Sequence, residues 1–195
     1  MKLILSKIKT YFGKLDKLLL FMCMGIAFFA VFIQYTLYEN DISSAVTASQ
    51  YKTQIIAFIA GIVIAMALAA INYKYLAKLW FIYVPLAMGL TLLLFTPLGI
   101  QREGADDIGW LDLGIMTIQP SEILKLAFIL SLAVHLSKVE DRMNEPIHFI
   151  LLCIHGAIPT LLIRQTGDDG SALVFLFIFI CMMFAAGLSW KYLVM

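Results

Sequence analysis

Long apolar runs separated by short polar segments dominate the pattern of hydrophobic and polar positions along the chain. A transmembrane helix needs about 20 mostly apolar residues, and six segments come close to that length. The predicted spans are residues 18–38, 53–71, 79–98, 119–137, 147–163 and 171–190. The pattern therefore predicts an all-α polytopic membrane protein with six transmembrane helices.

The first span follows a lysine-rich segment, as the apolar region of a signal peptide also would. Its apolar run is too long for a signal peptide, and no small-x-small cleavage site follows it, so we expect the span to be retained. The predicted domains are a cytoplasmic basic amphipathic segment at 1–17 and one membrane domain at 18–195. Apolar residues and lysines in the first segment favour a helix on the inner leaflet, although Gly13 weakens that pattern. The alternative is a disordered basic tail.

Basic residues are distributed unequally between alternate connections. Ten lie on the side of the N-terminus, namely Lys2, Lys7, Lys9, Lys14, Lys17, Lys74, Lys78, Lys138, Arg142 and Lys191. Three lie on the other side, namely Lys52, Arg102 and Arg164. Positively charged connections stay in the cytoplasm, so both termini are predicted to be cytoplasmic.

Composition excludes several classes of protein. Apolar residues make up 62% of the chain and charged residues 14%, whereas soluble domains have about 45–50% and 25%. A soluble enzyme and a disordered protein are therefore excluded. The net charge of +1 gives no support for nucleic-acid binding, and the three cysteines form no CxxC or zinc pattern.

Two features inside the spans carry packing or polar chemistry. Ala57, Gly61, Ala65 and Ala69 recur every four residues and predict close approach of another helix. His155 lies in the middle of the fifth span, where an ionisable group is a functional candidate. The alternative, which we favour, is a neutral imidazole hydrogen-bonded to a neighbouring helix.

The segment 104–125 (GADDIGWLDLGIMTIQPSEILK) holds the first candidate site. Pro120 suits the first turn of the fourth span, and Glu122 suits the positive end of that helix dipole. Lys125 follows three residues later on the same face, about 8 Å into the helix. An unpaired lysine at this depth is costly. Lys125 therefore either faces a polar cavity or snorkels with a local partner.

The connection RQTGDDGSA, at 164–172, holds the second candidate. Glycines at 167 and 170 flank Asp168 and Asp169, and the predicted topology places this turn on the same outer face as Glu122 and Lys125. One outward-opening pocket could hold Glu122, Lys125 and Asp168; the alternative is two unrelated, solvated loop ends. Asp106 and Asp107 are interpreted as solvated loop acids.

These residues resemble motifs of the SEDS family (shape, elongation, division and sporulation). WLDLG at 110–114, followed by QPSE at 119–122 and then Lys125, matches one family element, and RQTGDDGSALVF at 164–175 is similar to the second, usually written QPDLGTA. The motif residues are Trp110, Gln119, Pro120, Ser121 and Gly170. The resemblance covers nearly the whole chain in order.

The resemblance implies a bacterial inner-membrane (plasma-membrane) glycosyltransferase that polymerises lipid II into peptidoglycan strands, most like the rod-shape-determining elongation members. It implies a class B penicillin-binding protein and other elongation-complex membrane proteins as partners. It also implies an assisting divalent cation, although the sequence itself shows no cofactor or metal site. Glu122, Lys125 and Asp168 are implied to line the substrate cavity.

The sequence departs from the family pattern in two motifs and in length. Gly109 stands where the family has a basic residue before the tryptophan, and Gly167 replaces the proline of QPDLG. The family has ten spans and an essential Asp after the seventh. Because the 195 residues hold six predicted spans, the catalytic residue of this chain is unknown. The alternatives are a flippase for lipid-linked precursors and a catalytically inactive fragment.

The predicted orientation can be tested by labelling single cysteines in a cysteine-free background. An impermeant thiol reagent on intact cells should label Asp106→Cys and leave Lys74→Cys unlabelled, because only the former is predicted to face outward. Labelling at position 74 without labelling at 106 would overturn the orientation.

Overall fold

A computed structural model describes residues 16–40, 48–102, 104, 106–114 and 117–188. The chain divides into two compact units, Met1–Asn72 and Tyr73–Met195, and each is described by itself. Residues 1–15 lie outside the described residues, so the predicted basic helix is not addressed. The predicted domain division stays a prediction.

The first unit contains two long apolar helices, α1 (Lys17–Glu39) and α2 (Ala48–Ala70), which pack against each other. α1 begins where it does because the Asp16 side chain accepts a hydrogen bond from the Leu19 amide at 3.0 Å, a normal N-cap. The Tyr51 ring lies 5.7 Å from the Tyr35 ring and 6.1 Å from the Tyr38 ring, which joins the start of α2 to the C-terminal end of α1.

The second unit contains a helical bundle and a small sheet. Its helices are α3 (Tyr73–Lys78), α4 (Trp80–Leu92), α5 (Pro120–Val139), α6 (Pro146–Gln165) and α7 (Asp169–Ala185). Short 3₁₀ turns follow α4 at Leu93–Phe95 and α5 at Glu140–Arg142. The core of this unit includes Leu124, Phe128, Leu132, Leu152 and Phe175.

A three-stranded antiparallel sheet lies between α4 and α5, and the all-helical prediction missed it. Its strands are β1 (Gly99–Ile100), β2 (Trp110–Asp112) and β3 (Thr117–Ile118), with β2 in the centre. Leu111 pairs with Gly99 on one side and Ile118 on the other, and its side chain is fully buried. Strands of two or three residues are too short to show an alternating pattern in the sequence.

Each predicted span coincides with a helix, but two helices end earlier than predicted. The 79–98 span leaves α-helical geometry after Leu92 and 3₁₀ geometry after Phe95, because Thr96 precedes a proline and is extended. The 171–190 span ends at Ala185. There Gly187 adopts φ +97°, and the Leu188 amide donates to the Met183 carbonyl at 3.0 Å, as in a Schellman motif.

Among the described residues, three helices are long and apolar enough to cross a membrane, namely Lys17–Glu39, Gln50–Ala70 and Pro146–Gln165. Trp80–Phe95 and Asp169–Ala185 are shorter apolar helices. The structure therefore confirms a predominantly helical chain with membrane-span candidates. The count of six spans and the N-in/C-in topology stay predictions.

The expectation of close packing at Gly61 is wrong within the first unit. A Cβ atom built at Gly61 has no heavy atom within 4 Å. Ala57, Gly61 and Ala65 instead line a groove of about 290 Å³ between α1 and α2. The close approach occurs at Gly156 of α6, where a built Cβ atom lies 2.6 Å from the Phe179 ring of α7.

Replacing each glycine with alanine tests this difference. Gly156→Ala should lower the free energy of unfolding by about 1–3 kcal/mol, because the Phe179 ring must move. Gly61→Ala should raise it by up to about 1 kcal/mol, because alanine favours the helix and meets no neighbour. Thermal unfolding in one detergent measures both, and equal shifts in Tm would contradict the packing described.

Candidate functional site

The candidate site lies at the end of the second unit where α5 and α7 begin and α6 ends. Loop contacts bring these three helix ends together. The Ile108 amide donates to the Thr166 carbonyl at 2.9 Å, and the built Cβ atom of Gly167 lies 3.3 Å from the Cα atom of Asp107. The pairing of Leu111 with Ile118 then leads directly into Pro120. The two sequence motifs therefore share one end of this unit.

The WLDLG segment forms the central strand and the turn after it. The Asp112 carboxylate accepts a hydrogen bond from the Gly114 amide at 2.8 Å. Gly114 has φ +79°, a conformation that favours glycine. The motif residues thus have local structural roles: Leu111 fills the core, and Asp112 and Gly114 shape the turn that leads to α5.

Arg102, which was counted above only for the predicted topology, is a basic residue at this end of the unit. Its guanidinium carbon lies 3.4 Å from the centroid of the Trp110 ring, which is a cation–π contact. The sequence lacks the usual basic residue at position 109, yet the loop after β1 brings a cation to Trp110. No sequence signal identifies this contact, because it depends on the pairing of the two-residue strand β1 with β2, which sets Ile100 opposite Trp110.

The QPSE segment starts α5 as predicted. Gln119 is the N-cap residue and Pro120 occupies the first turn. Lys125 Nζ lies 2.6 Å from Glu122 Oε1, so the predicted pair on one helix face is present. The Lys125 side chain is 19% exposed and that of Glu122 is 59% exposed. The lysine is thus partly buried, whereas its carboxylate partner faces outward.

Exposure limits what the Glu122–Lys125 pair contributes to stability. Solvent screens a carboxylate that is more than half exposed, and exposed pairs typically contribute about 0.2–1 kcal/mol.

Beside the pair, Ser121 is 3% exposed, and its Oγ atom has no hydrogen-bond partner within the described part of the chain. Native proteins seldom leave such an atom unsatisfied.

Asp168 starts α7. Its Oδ1 atom accepts a hydrogen bond from the Ser171 amide at 2.7 Å, so it is the N-cap of that helix. Its Oδ2 atom has no hydrogen bond to any described residue. Gly167 before it has φ +87°, which proline cannot adopt. The family's proline could therefore not occupy position 167 with the backbone angle that Gly167 has here.

Asp168 and the Glu122–Lys125 pair share one end of the unit without direct contact. No hydrogen bond or ion pair within 4.0 Å joins them in the described structure. Gly170 lies in the first turn of α7, where a Cβ atom would have ordinary contact with Asp168. The single pocket containing Glu122, Lys125 and Asp168 stays a prediction.

No metal site is assigned. Within the described residues, no three His, Cys, Asp or Glu side chains come together around one point. Asp169 lies 3.6 Å from Arg164, and both side chains are exposed.

The chain belongs to the FtsW/RodA/SpoVE family of cell cycle proteins, the SEDS family, because that family's model matches residues 14–195. A probable peptidoglycan glycosyltransferase FtsW of Trichlorobacter lovleyi is 30% identical over 188 residues, covering 88% of this chain and 46% of the relative. The peptidoglycan glycosyltransferase MrdB of Escherichia coli K12 is 26% identical over 94% of this chain and 47% of the relative. The chain thus spans about half the length of these relatives.

Solved structures agree with this assignment. The Thermus thermophilus rod shape determining protein RodA matches with TM-score 0.65 and 25% identity, covering 86% of this chain and 55% of that structure. A structure described as "Structural coordination of polymerization and crosslinking by a peptidoglycan synthase complex" matches with TM-score 0.69 and 24% identity, over 89% and 49%. With the apolar helices, family membership identifies a multi-pass membrane protein.

Substitution separates the N-cap role of the Asp168 carboxylate from the effect of its charge. Asp168→Ala should lower the free energy of unfolding by about 1 kcal/mol, because α7 loses its N-cap. Asp168→Asn keeps an acceptor for the Ser171 amide and should stay close to wild type. Chemical unfolding monitored by circular dichroism measures both. A loss as large for asparagine as for alanine would show that the charge, not the cap, stabilises this turn.

Proposed function

We propose that this chain forms the substrate-holding half of a SEDS peptidoglycan glycosyltransferase, which polymerises lipid II in the bacterial plasma membrane. The relatives named as peptidoglycan glycosyltransferases support this activity, as does the family match over residues 14–195. The observation that carries the proposal is the partly buried Lys125, held 2.6 Å from Glu122 at the start of α5.

Six spans with both termini in the cytoplasm are part of this proposal. The lysine and arginine distribution supports it. In this orientation, the end that carries Lys125 and Asp168 faces outward, on the side where glycan strands are assembled.

Lys125 is proposed to hold the donor's pyrophosphate. A pyrophosphate leaving group gains negative charge as its bond to the sugar breaks, and a fixed cation in a partly water-excluded site stabilises that charge. Glu122 holds the Lys125 ammonium group near the start of α5. Because the Glu122 side chain is exposed, the pair can separate when the substrate binds. The amide groups at the N-terminus of α5 add a positive potential at the same end.

Asp168 is proposed to face the same substrate with its Oδ2 atom, which has no hydrogen bond to any described residue. The cap bond through Oδ1 fixes the carboxylate in one orientation. Polymerisation also requires a general base for the acceptor hydroxyl. No described residue is assigned that role, and we propose that the base lies in the part of SEDS proteins that this chain does not match.

We further propose the elongation role, RodA-like rather than FtsW-like, with a class B penicillin-binding protein as partner and a divalent cation as assistant. The WLDLG and QPSE residues support the elongation role. The synthase-complex neighbour supports a cross-linking partner, through fold similarity alone. No described residue is assigned as a ligand of the divalent cation.

A hybrid protein tests the role of Lys125. Residues 1–195 are joined to the C-terminal half of the E. coli MrdB protein, and glycan synthesis from lipid II is measured on gels. Lys125→Ala should reduce synthesis by about 100-fold or more, since one electrostatic contact to a transition state is worth that much. The exposed Lys138→Ala, at the other end of α5, should change it less than about twofold.

Protein abundance in the membrane is measured beside activity. Loss of the Glu122–Lys125 pair should leave abundance near that of the unmodified hybrid, because the pair contributes little stability. Unchanged synthesis by Lys125→Ala at normal abundance would show that the lysine only snorkels, and would refute the proposed site.

A further inference from the structure

Three polar side chains inside the helical bundle form a chain of hydrogen bonds that the proposed function does not use. Ser131 and His135 belong to α5, and His155 belongs to α6. Ser131 Oγ lies 3.0 Å from His155 Nε2, and His155 Nδ1 lies 3.1 Å from His135 Nδ1. The two imidazole rings stack with centroids 5.3 Å apart. The favoured interpretation of His155, an imidazole bonded to a neighbouring helix, agrees with this geometry.

The direction of each hydrogen bond follows once the Ser131 hydroxyl proton is assigned to one acceptor. We assign it to the Phe128 carbonyl at 3.1 Å, so that the Ser131 oxygen accepts from His155 Nε2 at 3.0 Å. The neutral His155 ring then presents a lone pair at Nδ1, which accepts from His135 Nδ1. The chain ends at His135 Nε2, which carries a lone pair.

Both rings are neutral in this arrangement. Among the described residues, no Asp or Glu side chain lies within ion-pair distance of either ring. The ion pair that does involve a histidine joins His148 to Glu145. An imidazolium with no counter-ion at membrane depth is costly. His135 Nε2 has no hydrogen-bond partner in the described structure, so it is an acceptor that can receive a donor from another molecule.

These residues line a cavity of about 430 Å³ between α4, α5 and α6, which falls in the usual range for ligand sites of roughly 300–1,000 Å³. Apart from Ser131 and the two imidazoles, its walls are apolar: Val84, Met88, Leu124, Phe128, Leu151, Ile154, Ile158 and Pro159. A smaller cavity of about 240 Å³ shares the three polar residues and reaches Trp80 and Lys138. An apolar cavity with a few convergent polar groups is the usual form of a small-molecule site.

We propose that this cavity binds a neutral amphiphile with one hydroxyl group on an apolar chain, whose hydroxyl donates to His135 Nε2. The walls favour the apolar chain, and the lone pair at His135 requires a donor. A charged group is disfavoured in the large cavity, whose lining has no Asp, Glu, Lys or Arg. Lys138 lines only the smaller cavity, where its ammonium group lies over the Trp80 ring. The site is separate from Glu122, Lys125 and Asp168, none of which lines this cavity.

The experiment is a titration of the chain in phosphatidylcholine nanodiscs, followed by ¹⁵N NMR of the histidine side chains. The three histidines of the sequence give a small set of ring-nitrogen signals. The probe is 1-decanol, and the matched control is decyl methyl ether, which has an oxygen but no donor. His148 serves as an internal control, because it pairs with Glu145 outside the cavity.

Decanol should shift the His135 Nε2 signal saturably while the His148 signals stay in place. The ether should bind about tenfold more weakly or worse, as expected for one lost hydrogen bond. His135→Phe keeps a flat ring without nitrogen and should abolish the difference between the two compounds. The wild-type titration carries the test even if this variant does not fold.

Two results would overturn the proposal. One is an equal, unsaturable shift with alcohol and ether, which would mean that both compounds only partition into the bilayer. The other is a proton on His135 Nε2 in the ligand-free protein, which would remove the acceptor.

Discussion

The hydrogen bond from the Ile108 amide to the Thr166 carbonyl is the constraint on which the geometry of the candidate site depends. At 2.9 Å it joins the loop before β2 to the turn between α6 and α7. β2 pairs in turn with β3, which leads into α5. The packing of α5, α6 and α7 brings the QPSE helix start and the Asp168 turn to the same end of the unit, and this link fixes the loop before β2 to the Asp168 turn. Since it is formed by backbone atoms, it does not depend on the side chain at either position.

The charges at this end follow from the same geometry. Helix starts provide unpaired amide groups and a positive potential, which the Asp168 side chain satisfies at α7. At α5 the proline removes one such amide, and Glu122 lies in the first turn. Lys125 then places a partly buried cation beside the Glu122 carboxylate. In this arrangement the Lys125 ammonium group has a carboxylate partner, so the cation is not unpaired inside the helix.

The sequence was sufficient to locate the helices that coincide with the six predicted spans, because apolar runs of membrane length leave little choice, but it did not predict the short helix α3. It misplaced the ends of two of them, because the apolar pattern continues there while Pro97 and Gly187 end the helical backbone. The sheet was not predictable, because pairing of two- and three-residue strands is a tertiary property. Spacing predicted the Glu122–Lys125 pair, which is local to one helix.

Contacts between elements were harder to foresee. The repeat around Gly61 suggested close packing that occurs instead at Gly156, whose need for glycine arises from the Phe179 ring of another helix. The contact of Arg102 with Trp110 and that of His135 with His155 likewise depend on register between elements. A single sequence carries no record of which residues face each other across a bundle.

Amide hydrogen exchange at Ile108 tests the shared end most directly. In nanodiscs, this amide should exchange roughly tenfold or more slowly than the amide of Leu113, because only the former is bonded across the loop. Both residues lie in the same connection between α4 and α5, so solvent access alone does not separate them. Exchange of Ile108 as fast as that of Leu113 would contradict the account, since the loop before β2 would then not be fixed to the Asp168 turn.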